Sequence, residues 1–365
     1  MLMLDKVEQM VKWIFVRFGK VGIERFVYTS LGLFVFGLLG VGLMRANTPL
    51  TDEGQRATFF QIGTGSTSGT YFSIGEMLAA MISRPPGSEP CVAGGHCGVA
   101  GIVAIAKSSA GSVANVRSLG SKRFDSALIQ ADVLDAAASG IGIFKRDGKA
   151  TELRVIANLF PDAVHLVVAA ESGIETIGDL KGKRISIGSP GSGTRANALA
   201  ILKAIKLSHR KALIVEENAS RSAELLLAGE VDAFFLTTGA PARIIEDLAI
   251  RKIAHVISIE GEAIDRLRIE QNFFDAVTIE AGTYPGSGEV HTLAVGALWV
   301  TRADQPDELI YQITRALFAP NNHSMLTSGH PKGRFINAAS AVRGVPILLH
   351  PGAEQYYFQA GILEE

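Results

Sequence analysis

The sequence predicts an α/β protein with two lobes that face each other across a cleft. Strands alternate with helices along the chain, which favours a mostly parallel sheet in each lobe. The order of strand, Gly/Ser/Thr-rich loop and helix occurs twice, at residues 57–82 and again at residues 183–205. Each copy leads to a helix, an aspartate and an apolar strand, with Asp125 in the first copy and Asp232 in the second. We interpret the two copies as two lobes that share the same architecture.

The composition supports a folded chain of about two domains. The chain has 365 residues, of which 47% are hydrophobic and 19% charged. The 35 Lys and Arg residues nearly balance the 36 Asp and Glu residues, for a net charge of -1. A nucleic-acid-binding surface needs concentrated basic charge, and the folded part contains no such run. The sequence therefore predicts no nucleic-acid partner.

The N-terminal segment predicts a membrane anchor. Residues 1–25 are basic, residues 26–45 contain an uncharged apolar run up to Met44, and residues 46–56 form a polar linker. The basic flank predicts a cytoplasmic N-terminus before a transmembrane helix. The run is longer than a usual signal core and no clear Ala-x-Ala site follows it, which favours a retained anchor and leaves a cleaved signal open. We expect a periplasmic or otherwise extracytoplasmic protein, anchored in the inner membrane.

Cys91 and Cys97 bracket a short segment and predict a small disulfide loop in an oxidising compartment. Two unpaired thiols are the alternative. His96 lies between them, but one histidine with two cysteines makes a weak metal site. The sequence predicts neither a metal nor a cofactor.

Two long apolar segments, at residues 153–169 and 291–300, have the length and β-branched composition of strands that bridge two lobes. They divide the chain into lobe I, residues 57–168 plus 293–365, and lobe II, residues 169–292. We expect the segment from Asp307 onward to form helices that pack on lobe I. His165, inside the first bridging segment, is interpreted as a core or hinge residue, with a role in the cleft as the alternative.

The two Gly-rich loops are candidate ligand sites. The first, residues 65–71, combines small hydroxyl residues with free backbone N–H groups at a helix start, which suits an anion or a carboxylate. The second, residues 188–194, repeats this pattern. An ordinary helix cap with turn glycines is the alternative for each loop. Arg195, at a helix start, and Arg117 are possible carboxylate partners. Solvated residues on a helix face are the alternative for both arginines.

Nucleotide binding and catalysis have weaker support. The second loop has P-loop spacing, but Thr194 and Arg195 stand where Lys and Ser/Thr are required. Residues 191–196 match the Gly-x-Gly-x-x-Ala pattern, and the acid pair Glu216-Glu217 follows, so a dinucleotide site stays open as a lesser alternative. Thr67 replaces the serine of a nucleophile elbow, and no His-Glu-x-x-His occurs. The sequence predicts that the protein is not an enzyme, with an exported enzyme as a lesser alternative.

Seven short motifs, in order, resemble one family. They lie at residues 62–71, 111–115, 130–133, 180–184, 188–194, 282–286 and 350–353. Together they make residues 59–363 similar to the TAXI branch of the solute-binding proteins that serve TRAP transporters. Ser68 and Ala131 depart from the family pattern, as do the Cys91–Cys97 insertion and the retained anchor.

This resemblance implies a periplasmic-binding-protein-like fold of type II, which captures a small organic acid or amino acid, such as glutamate, for a TRAP permease. A membrane-tethered ligand sensor or interaction protein is the alternative. The resemblance implies ligand contacts from two sets of residues. They are Gly65, Ser66, Thr67, Gly69, Thr70, Tyr71 and Gln130 from lobe I, and Ser189, Ser192, Gly193, Thr194, Asn197, Thr238, Gly239 and Tyr284 from lobe II.

Overall fold

Strands and helices alternate through most of the described chain. The computed structural model describes residues 57–89, 98–208 and 212–364, and the predicted mixed α/β architecture is confirmed within them. The strands are β1 (Thr58–Gly63), β2 (Ser83–Arg84), β3 (Val99–Ala100), β4 (Ile102–Lys107), β5 (Ser126–Gln130), β6 (Leu153–Ala169), β7 (Arg184–Ser186), β8 (Leu213–Val215), β9 (Ala233–Thr238), β10 (Ala254–Ile257), β11 (Asp275–Ile279) and β12 (Val290–Arg302). The helices are α1 (Thr70–Ile82), α2 (Ser112–Gly120), α3 (Ala131–Ser139), α4 (Gly193–Ala204), α5 (Ala219–Leu227), α6 (Arg243–Ile250), α7 (Glu262–Glu270), α8 (Asp307–Leu317), α9 (Pro320–Gly329) and α10 (Pro351–Gln359). Short 3₁₀ turns cover Gly142–Phe144, Ile177–Leu180 and Pro331–Phe335.

Lobe I is built on the parallel strands β4, β1 and β5. Apolar side chains point to both faces of this sheet, because both faces are covered by helices. One face packs against α1, α8 and α10, with Leu78 and Tyr357 in its core. The other face packs against α2 and α3, with Leu119 and Leu134 in its core. The result is a three-layer lobe.

Lobe II repeats this plan with the parallel strands β8, β7 and β9. Neighbouring residues of β9 pack into hydrophobic cores on opposite faces of the sheet, since successive side chains of a strand alternate between faces. Phe235 packs with α4 and α7 residues such as Ile201, whereas Phe234 packs with α5 and α6 residues such as Leu226 and Leu248. The lobe is therefore also three layers thick.

Two long antiparallel strands, β6 and β12, run through both lobes. In lobe I, β12 pairs with β5 from Ala297 onward. In lobe II, β6 pairs with β9 from Ala163 onward. Pro161 faces Gly296 in the register between these two regions. The change of sheet partner therefore lies between residues 160 and 163 of β6 and near Gly296 of β12, while the predicted lobe boundaries fall at residues 168 and 292.

The C-terminal helices pack on lobe I. Ile310 and Ile313 of α8 and Tyr357 of α10 join the core that surrounds α1. Tyr357 also donates its hydroxyl proton to the carbonyl oxygen of Ile156 in β6, at 2.9 Å. This contact fixes the end of the chain to the first bridging strand.

The two aspartates that mark the sequence repeat, Asp125 and Asp232, make equivalent hydrogen bonds in the two lobes. Asp125 accepts the backbone N–H of Gln61 in β1 through Oδ2, at 2.8 Å. Asp232 accepts the backbone N–H of Arg184 in β7 through Oδ2, also at 2.8 Å, and forms an ion pair with the Arg184 side chain. Each aspartate, which directly precedes its own strand, therefore accepts a hydrogen bond from the neighbouring parallel strand.

Some sequence predictions lie outside the described residues. The anchor at residues 26–45, the basic segment before it, the linker after it, and Cys91 and Cys97 all fall in the parts that are not described. Within the described ranges, no helix combines the length and hydropathy needed to cross a bilayer.

Candidate ligand-binding cleft

A cavity of about 360 Å³ lies between the two lobes, at the carboxyl ends of the parallel strands. Open α/β sheets place ligand sites at this edge, because the loops that leave the strands converge there. The wall from lobe I comprises Gly65, Ser66, Ser68, Gly69, Thr70, Tyr71, Ser109, Ala110, Gly111, Ser112 and Gln130. Lobe II contributes Gly188, Ser189, Ser192, Gly193, Thr194, Asn218, Ala219, Phe235, Leu236, Thr237, Thr238, Ala242 and Ile244, and β6 contributes Asp162.

The cavity receives the N-termini of helices from both lobes. The N-cap residues of α1, α2, α3, α4 and α5 all line it, namely Gly69, Gly111, Gln130, Ser192 and Asn218. A helix N-terminus carries partial positive charge and leaves its first N–H groups without intrahelical acceptors. Gly69, Gly111 and Gln130 make no side-chain hydrogen bond to the helices that they start. Some of these N–H groups already have protein acceptors: those of Arg195 and Arg221 donate to the N-cap side chains of Ser192 and Asn218. The wall therefore favours an anionic group mainly through the positive potential of the helix N-termini.

Hydrogen bonds between the lobes hold the cavity closed. The hydroxyl of Thr70 in α1 lies 3.1 Å from the hydroxyl of Thr238 in β9, and accepts the Gly239 N–H at 3.2 Å. A second contact between the lobes joins α2 to the second Gly-rich loop: the N–H groups of Val113 and Ala114 both donate to the Gly191 carbonyl oxygen, at 3.1 Å. The first turn of α2 thus binds the second Gly-rich loop directly.

Glycine is required where α4 meets lobe I. A Cβ atom on Gly193 would overlap the side-chain amide of Gln130. The lobes can approach this closely only because Gly193 has no side chain. The nearby Ser192 caps α4 by accepting the Arg195 N–H at 3.1 Å, as expected for a hydroxyl residue at this position.

Three buried side chains form the floor of the cavity: Tyr71, Gln130 and Asp162. Gln130 and Tyr71 lie close enough to Asp162 to lower its pKa through side-chain hydrogen bonds. By strict distance and angle, however, Tyr71 Oη, Gln130 Oε1 and Asp162 Oδ1 have no hydrogen-bond partner among the described residues. Buried polar atoms in native proteins nearly always have partners. The floor of the cavity is therefore a buried polar cluster whose members hydrogen-bond chiefly with one another, in geometry looser than usual.

Two carboxyl groups, that of Asp162 in this floor and that of Asp132 outside the cavity lining, have raised pKa values. Burial raises the pKa of Asp162 to about 7, against the opposing attraction of Lys332. Burial also raises the pKa of Asp132 to about 7, and hydrogen bonds from backbone N–H groups and from Asn197 oppose the shift. Desolvation disfavours the charged form of a carboxyl group, so both residues titrate near neutral pH.

The chain matches the NMT1-like family over residues 62–361, which is most of its length. It belongs to that family.

This NMT1-like protein is also similar to solved structures. One is the alkanesulfonate-binding protein of Xanthomonas axonopodis pv. citri bound to MOPS, at 15% identity, with 85% of this chain and 96% of that chain covered and a TM-score of 0.43. Another is a binding protein component of an ABC phosphonate transporter from Pseudomonas aeruginosa, at 11% identity, with 74% and 78% covered and a TM-score of 0.46.

Most of the site residues predicted for this NMT1-like protein line the cavity. Gly65, Ser66, Gly69, Thr70, Tyr71, Gln130, Ser189, Ser192, Gly193, Thr194 and Thr238 are all on its wall or floor. Thr67 is outside this lining, and Gly239 reaches the site only through its hydrogen bond to Thr70. Asn197 lies behind the wall, where it donates to Asp132 and accepts from Thr237.

Tyr284 does not face the cavity. It is buried in lobe II, where its hydroxyl donates to His165 Nε2 at 2.8 Å and accepts the Ala242 N–H at 3.0 Å. The Nδ1 atom of His165 meets the carbonyl oxygens of Ala163 and Leu236, and burial lowers the pKa of this histidine to about 4. His165 is therefore a neutral core residue, and Tyr284 supports the cavity wall at Ala242.

The two arginines predicted as carboxylate partners are also elsewhere. Arg195 pairs with Glu216 at 2.7 Å, and Arg117 pairs with Asp147 at 2.9 Å. Glu216 is one of the acids that suggested a dinucleotide site, and the pairing with Arg195 occupies it. None of the described residues that line the cavity is Lys, Arg or His.

Sequence reasoning missed several residues of the site. Ser109, Gly111 and Ser112 precede or begin α2, whose start was predicted without a ligand role, and Asn218 caps α5. Their shared signal is a small or polar residue at a helix start, as in the loops that were recognised. Asp162 also had a signal, since it is the one acidic residue within the apolar segment 155–169.

Proposed function

We propose that this protein is an extracytoplasmic solute-binding protein that captures a small carboxylate-bearing molecule between its two lobes. The observation that carries this proposal is the meeting of five helix N-termini in one cavity between the lobes. Backbone N–H groups and hydroxyls can bind a carboxylate there without a basic side chain, because the helix termini supply the positive potential. We propose binding without chemical turnover.

The size of the cavity supports a small ligand. A volume of about 360 Å³ is near the lower end of small-molecule sites. The wall combines serine and threonine hydroxyls with few aromatic rings, which favours a polar solute over a large flat one. A small organic acid or an amino acid fits this description.

Closure of the two lobes is the proposed binding mechanism. The contacts Thr70–Thr238 and Val113–Gly191 join the lobes, whereas β6 and β12 connect them through continuous strands. A solute that touches both walls binds the closed form more tightly than an open form, and so shifts the population toward closure. The hinge lies where β6 and β12 change partners, around Pro161 and Gly296.

We further propose that the protein belongs to the TAXI branch and delivers its solute to a TRAP permease from a membrane-tethered position. The seven ordered sequence motifs support the branch, and the apolar run within residues 26–45 supports the tether. Fractionation of cells that express the full chain tests the tether. The protein should stay with membranes after a carbonate wash, and recovery in the soluble periplasmic fraction would contradict a retained anchor.

A ligand screen tests the binding function. The full-length protein, purified in detergent, is heated with each of a panel of amino acids and organic acids. A molecule that binds only the native state raises the melting temperature by mass action. The expected result is a hit among small carboxylates, confirmed by calorimetry. No binding by any member of the panel would contradict the proposed ligand class.

Variants of the second loop locate the site. Ser192→Ala and Thr194→Ala each remove a hydroxyl from the wall and should weaken binding of the hit by about tenfold. Ser324→Ala, on the exposed face of α9, is the matched control and should leave the affinity unchanged. Unchanged affinity in both loop variants would show that this loop is not part of the site.

A further inference from the structure

The connection from α3 to β6 exposes apolar and basic side chains together. Ile141 and Ile143 are 55% and 39% exposed, and they lie next to and within the 3₁₀ turn Gly142–Phe144. Three exposed basic residues follow in the same connection: Lys145, Arg146 and Lys149. A single exposed isoleucine is common on protein surfaces, but two of them beside three cations form a distinct surface. We name residues 140–149 the basic-apolar loop.

Hydrogen bonds fix the backbone of the basic-apolar loop. The Ile141 N–H donates to the Ala136 carbonyl oxygen in α3 at 3.0 Å. At the other end, the Ala150 N–H donates to the Ala137 carbonyl oxygen at 2.9 Å. Between these two bonds, the Phe144 side chain is buried in the core of lobe I. The two isoleucines are therefore held exposed by a fixed backbone, so their burial in a partner requires little ordering of the chain.

The single acidic residue of the loop is neutralised by the end of α2. Arg117 Nη2 lies 2.9 Å from Asp147 Oδ2. Among the described residues, no acidic group lies within ion-pair distance of Lys145, Arg146 or Lys149. The unpaired charge of the basic-apolar loop is therefore positive.

The basic-apolar loop lies at the edge of lobe I that is opposite the cavity. Helices α2 and α3 begin at the cavity and run back along the sheet, so their C-terminal ends lie toward the amino ends of the parallel strands. Strand β1 begins at this edge at Thr58, and β6 begins there at Leu153, since β5 and β6 both pair antiparallel with β12. Leu348, 71% exposed, lies at the same edge, because its carbonyl oxygen accepts the Val155 N–H.

Positive charge is in excess along this edge. Its basic residues without an ion-pair partner among the described residues are Arg123, Lys145, Arg146, Lys149 and Arg154. The acidic residues there without such a partner are Asp125 and Glu152, whereas Asp304 pairs with both Lys122 and Arg302. Each Lys or Arg close to an anionic lipid surface tightens binding by about fivefold, so this edge favours such a surface.

A lipid bilayer is the partner that this combination fits. Isoleucine side chains enter the boundary between headgroups and acyl chains, and basic side chains contact lipid phosphates, so both residue types contribute to binding. The sequence supplies a second reason. The predicted linker at residues 46–56 joins the apolar run to β1, and a linker of this length spans at most about 40 Å. A tether at that run would hold this edge of lobe I closest to the membrane.

We propose that the basic-apolar loop docks lobe I on an anionic phospholipid surface. The two isoleucines of the loop enter the interface, and its three basic side chains contact lipid phosphates. The cavity, at the opposite edge of the lobe I sheet, then lies away from the bilayer surface. This inference goes beyond the capture of a solute. It draws on the proposed tether, and the experiment measures the tether and the docking separately.

Tryptophan fluorescence of the full-length protein in vesicles tests the docking. The parent variant is Trp13→Phe, which leaves the buried Trp299 as the one native tryptophan. Ile143→Trp adds a reporter on the loop, and Ile269→Trp, at an exposed position of α7 in lobe II, is the matched control. Each protein is reconstituted in vesicles of brominated phosphatidylcholine, either alone or with about 30% phosphatidylglycerol.

Bromine quenches a tryptophan that enters the bilayer interface. We expect quenching of Ile143→Trp to be at least about threefold stronger in the anionic vesicles than in the neutral ones, because the loop charges favour docking only on the anionic surface. Ile269→Trp should show no difference between the two kinds of vesicle.

Charge variants of Ile143→Trp test the basic side chains. The loop variant combines Lys145→Gln, Arg146→Gln and Lys149→Gln. The control variant removes the same charge from exposed positions of lobe II and combines Lys203→Gln, Arg251→Gln and Lys252→Gln. We expect the loop variant to lose the difference in quenching between the vesicles and the control variant to keep it.

The outcomes separate the docking from the tether and from solute binding. Quenching confined to Ile143→Trp and to anionic vesicles, and lost with the loop charges, supports the inference. Equal quenching in both vesicles, quenching of both reporters, or quenching that survives loss of the loop charges overturns it. Absence of quenching also overturns it and leaves this edge to a protein partner. If Ile143→Trp does not fold, Ile141→Trp replaces it in the same assay.

Two further measurements keep the proposals apart. Flotation of the protein with neutral vesicles measures the tether alone, and failure to float overturns the tether while quenching in anionic vesicles still decides the docking. Calorimetry with the solute found in the ligand screen should give wild-type affinity for the loop variants, because the basic-apolar loop lies outside the cavity lining. A loss of solute affinity in these variants would contradict the placement of the docking surface away from the cleft.

Discussion

Asn197 and Asp132 form a hydrogen bond between the two lobes: Nδ2 of Asn197 in α4 donates to Oδ2 of Asp132 in α3 at 2.8 Å. Asn197 is buried behind the cavity wall, and it also accepts the Thr237 hydroxyl proton at 2.8 Å. The contact therefore links α3 of lobe I, α4 of lobe II and β9 in one polar network. Such a network holds a closed cleft without touching the ligand.

Asn197→Ala is expected to weaken solute binding by about tenfold, mainly through faster dissociation. The variant removes the donor to Asp132 and leaves a buried carboxyl group without this partner, so the closed form loses stability. Stopped-flow measurement of the dissociation rate checks this. Asn337→Ala, at an exposed position, is the control and should dissociate at the wild-type rate. An unchanged dissociation rate in Asn197→Ala would show that the contact does not hold the cleft closed.

Gly193→Ala tests the close approach of the lobes. The added methyl group would overlap the Gln130 side chain, so we expect at least about a tenfold loss of affinity. Because the overlap lies between lobes and alanine favours a helix, the free energy of unfolding should change by less than about 1 kcal/mol. Gly288→Ala, whose methyl group would meet nothing within 4 Å, is the matched control. Wild-type affinity in Gly193→Ala would contradict the closed geometry.

The raised pKa of Asp162 predicts that the free energy of unfolding depends on pH. Its pKa rises from 3.8 to about 7 on folding, so the folded state binds a proton more tightly than the unfolded state. This contribution to stability is complete below about pH 4 and is lost as the pH rises to about 7. Asp162→Asn removes the titration, so its stability relative to the wild type should increase over this range, by on the order of 1–4 kcal/mol.

Urea unfolding of both proteins between about pH 4 and pH 8 measures this difference. Asp275→Asn, an exposed carboxyl group on β11, is the control and should stay within about 0.5 kcal/mol of the wild type at every pH. If the stability of Asp162→Asn relative to the wild type instead decreases as the pH rises, then the folded protein stabilises ionised Asp162 and the predicted direction of the pKa shift is wrong.

Tyr284→Phe tests whether the buried Tyr284 hydroxyl supports the cavity wall at Ala242. The substitution removes the hydroxyl that binds His165 Nε2 and accepts the Ala242 N–H, and leaves both groups buried without a partner. We expect a loss of unfolding free energy of about 1–3 kcal/mol, with a smaller effect on affinity, since Tyr284 does not line the cavity. Tyr356→Phe, on the partly exposed side of α10, is the control. A large loss of affinity without loss of stability would indicate direct contact between Tyr284 and the ligand.

The periodicity of the chain determined the elements well, because local patterns specify local structure. The helix predicted at the end of residues 57–82 is α1 at Thr70–Ile82, and the bridging strand predicted at residues 153–169 is β6 at Leu153–Ala169. The Gly-rich loops were recognised because glycine and hydroxyl residues at a helix start leave a strong signature. These loops line the cavity, so much of the candidate site also followed from local sequence.

Side-chain direction was decided only by the tertiary structure. Arg195 follows the second loop directly, yet it turns to Glu216, and Tyr284 turns inward to His165. In both residues a partner distant in sequence offers a better contact than the cavity does, and sequence spacing does not reveal that partner. Asp162 is the opposite case, because it faces the cavity although the sequence predicted no such role for it. In the sequence it is a single acidic residue within an apolar strand, and in the structure it lies where β6 and β12 change partners.

The sequence by itself thus determined the alternation of strands and helices and the two Gly-rich loops, since each depends on residues close together along the chain. The two-lobed plan and the likeness to periplasmic binding proteins were predicted from the order in which such local patterns recur. The tertiary structure decided which polar atoms meet. It brings the helix starts of α1, α2 and α3 from lobe I against those of α4 and α5 from lobe II, and it leaves Asp162 and Gln130 buried beneath them. Burial sets the charge state and the hydrogen-bonding needs of these groups, and burial is a property of the packed lobes rather than of any short segment.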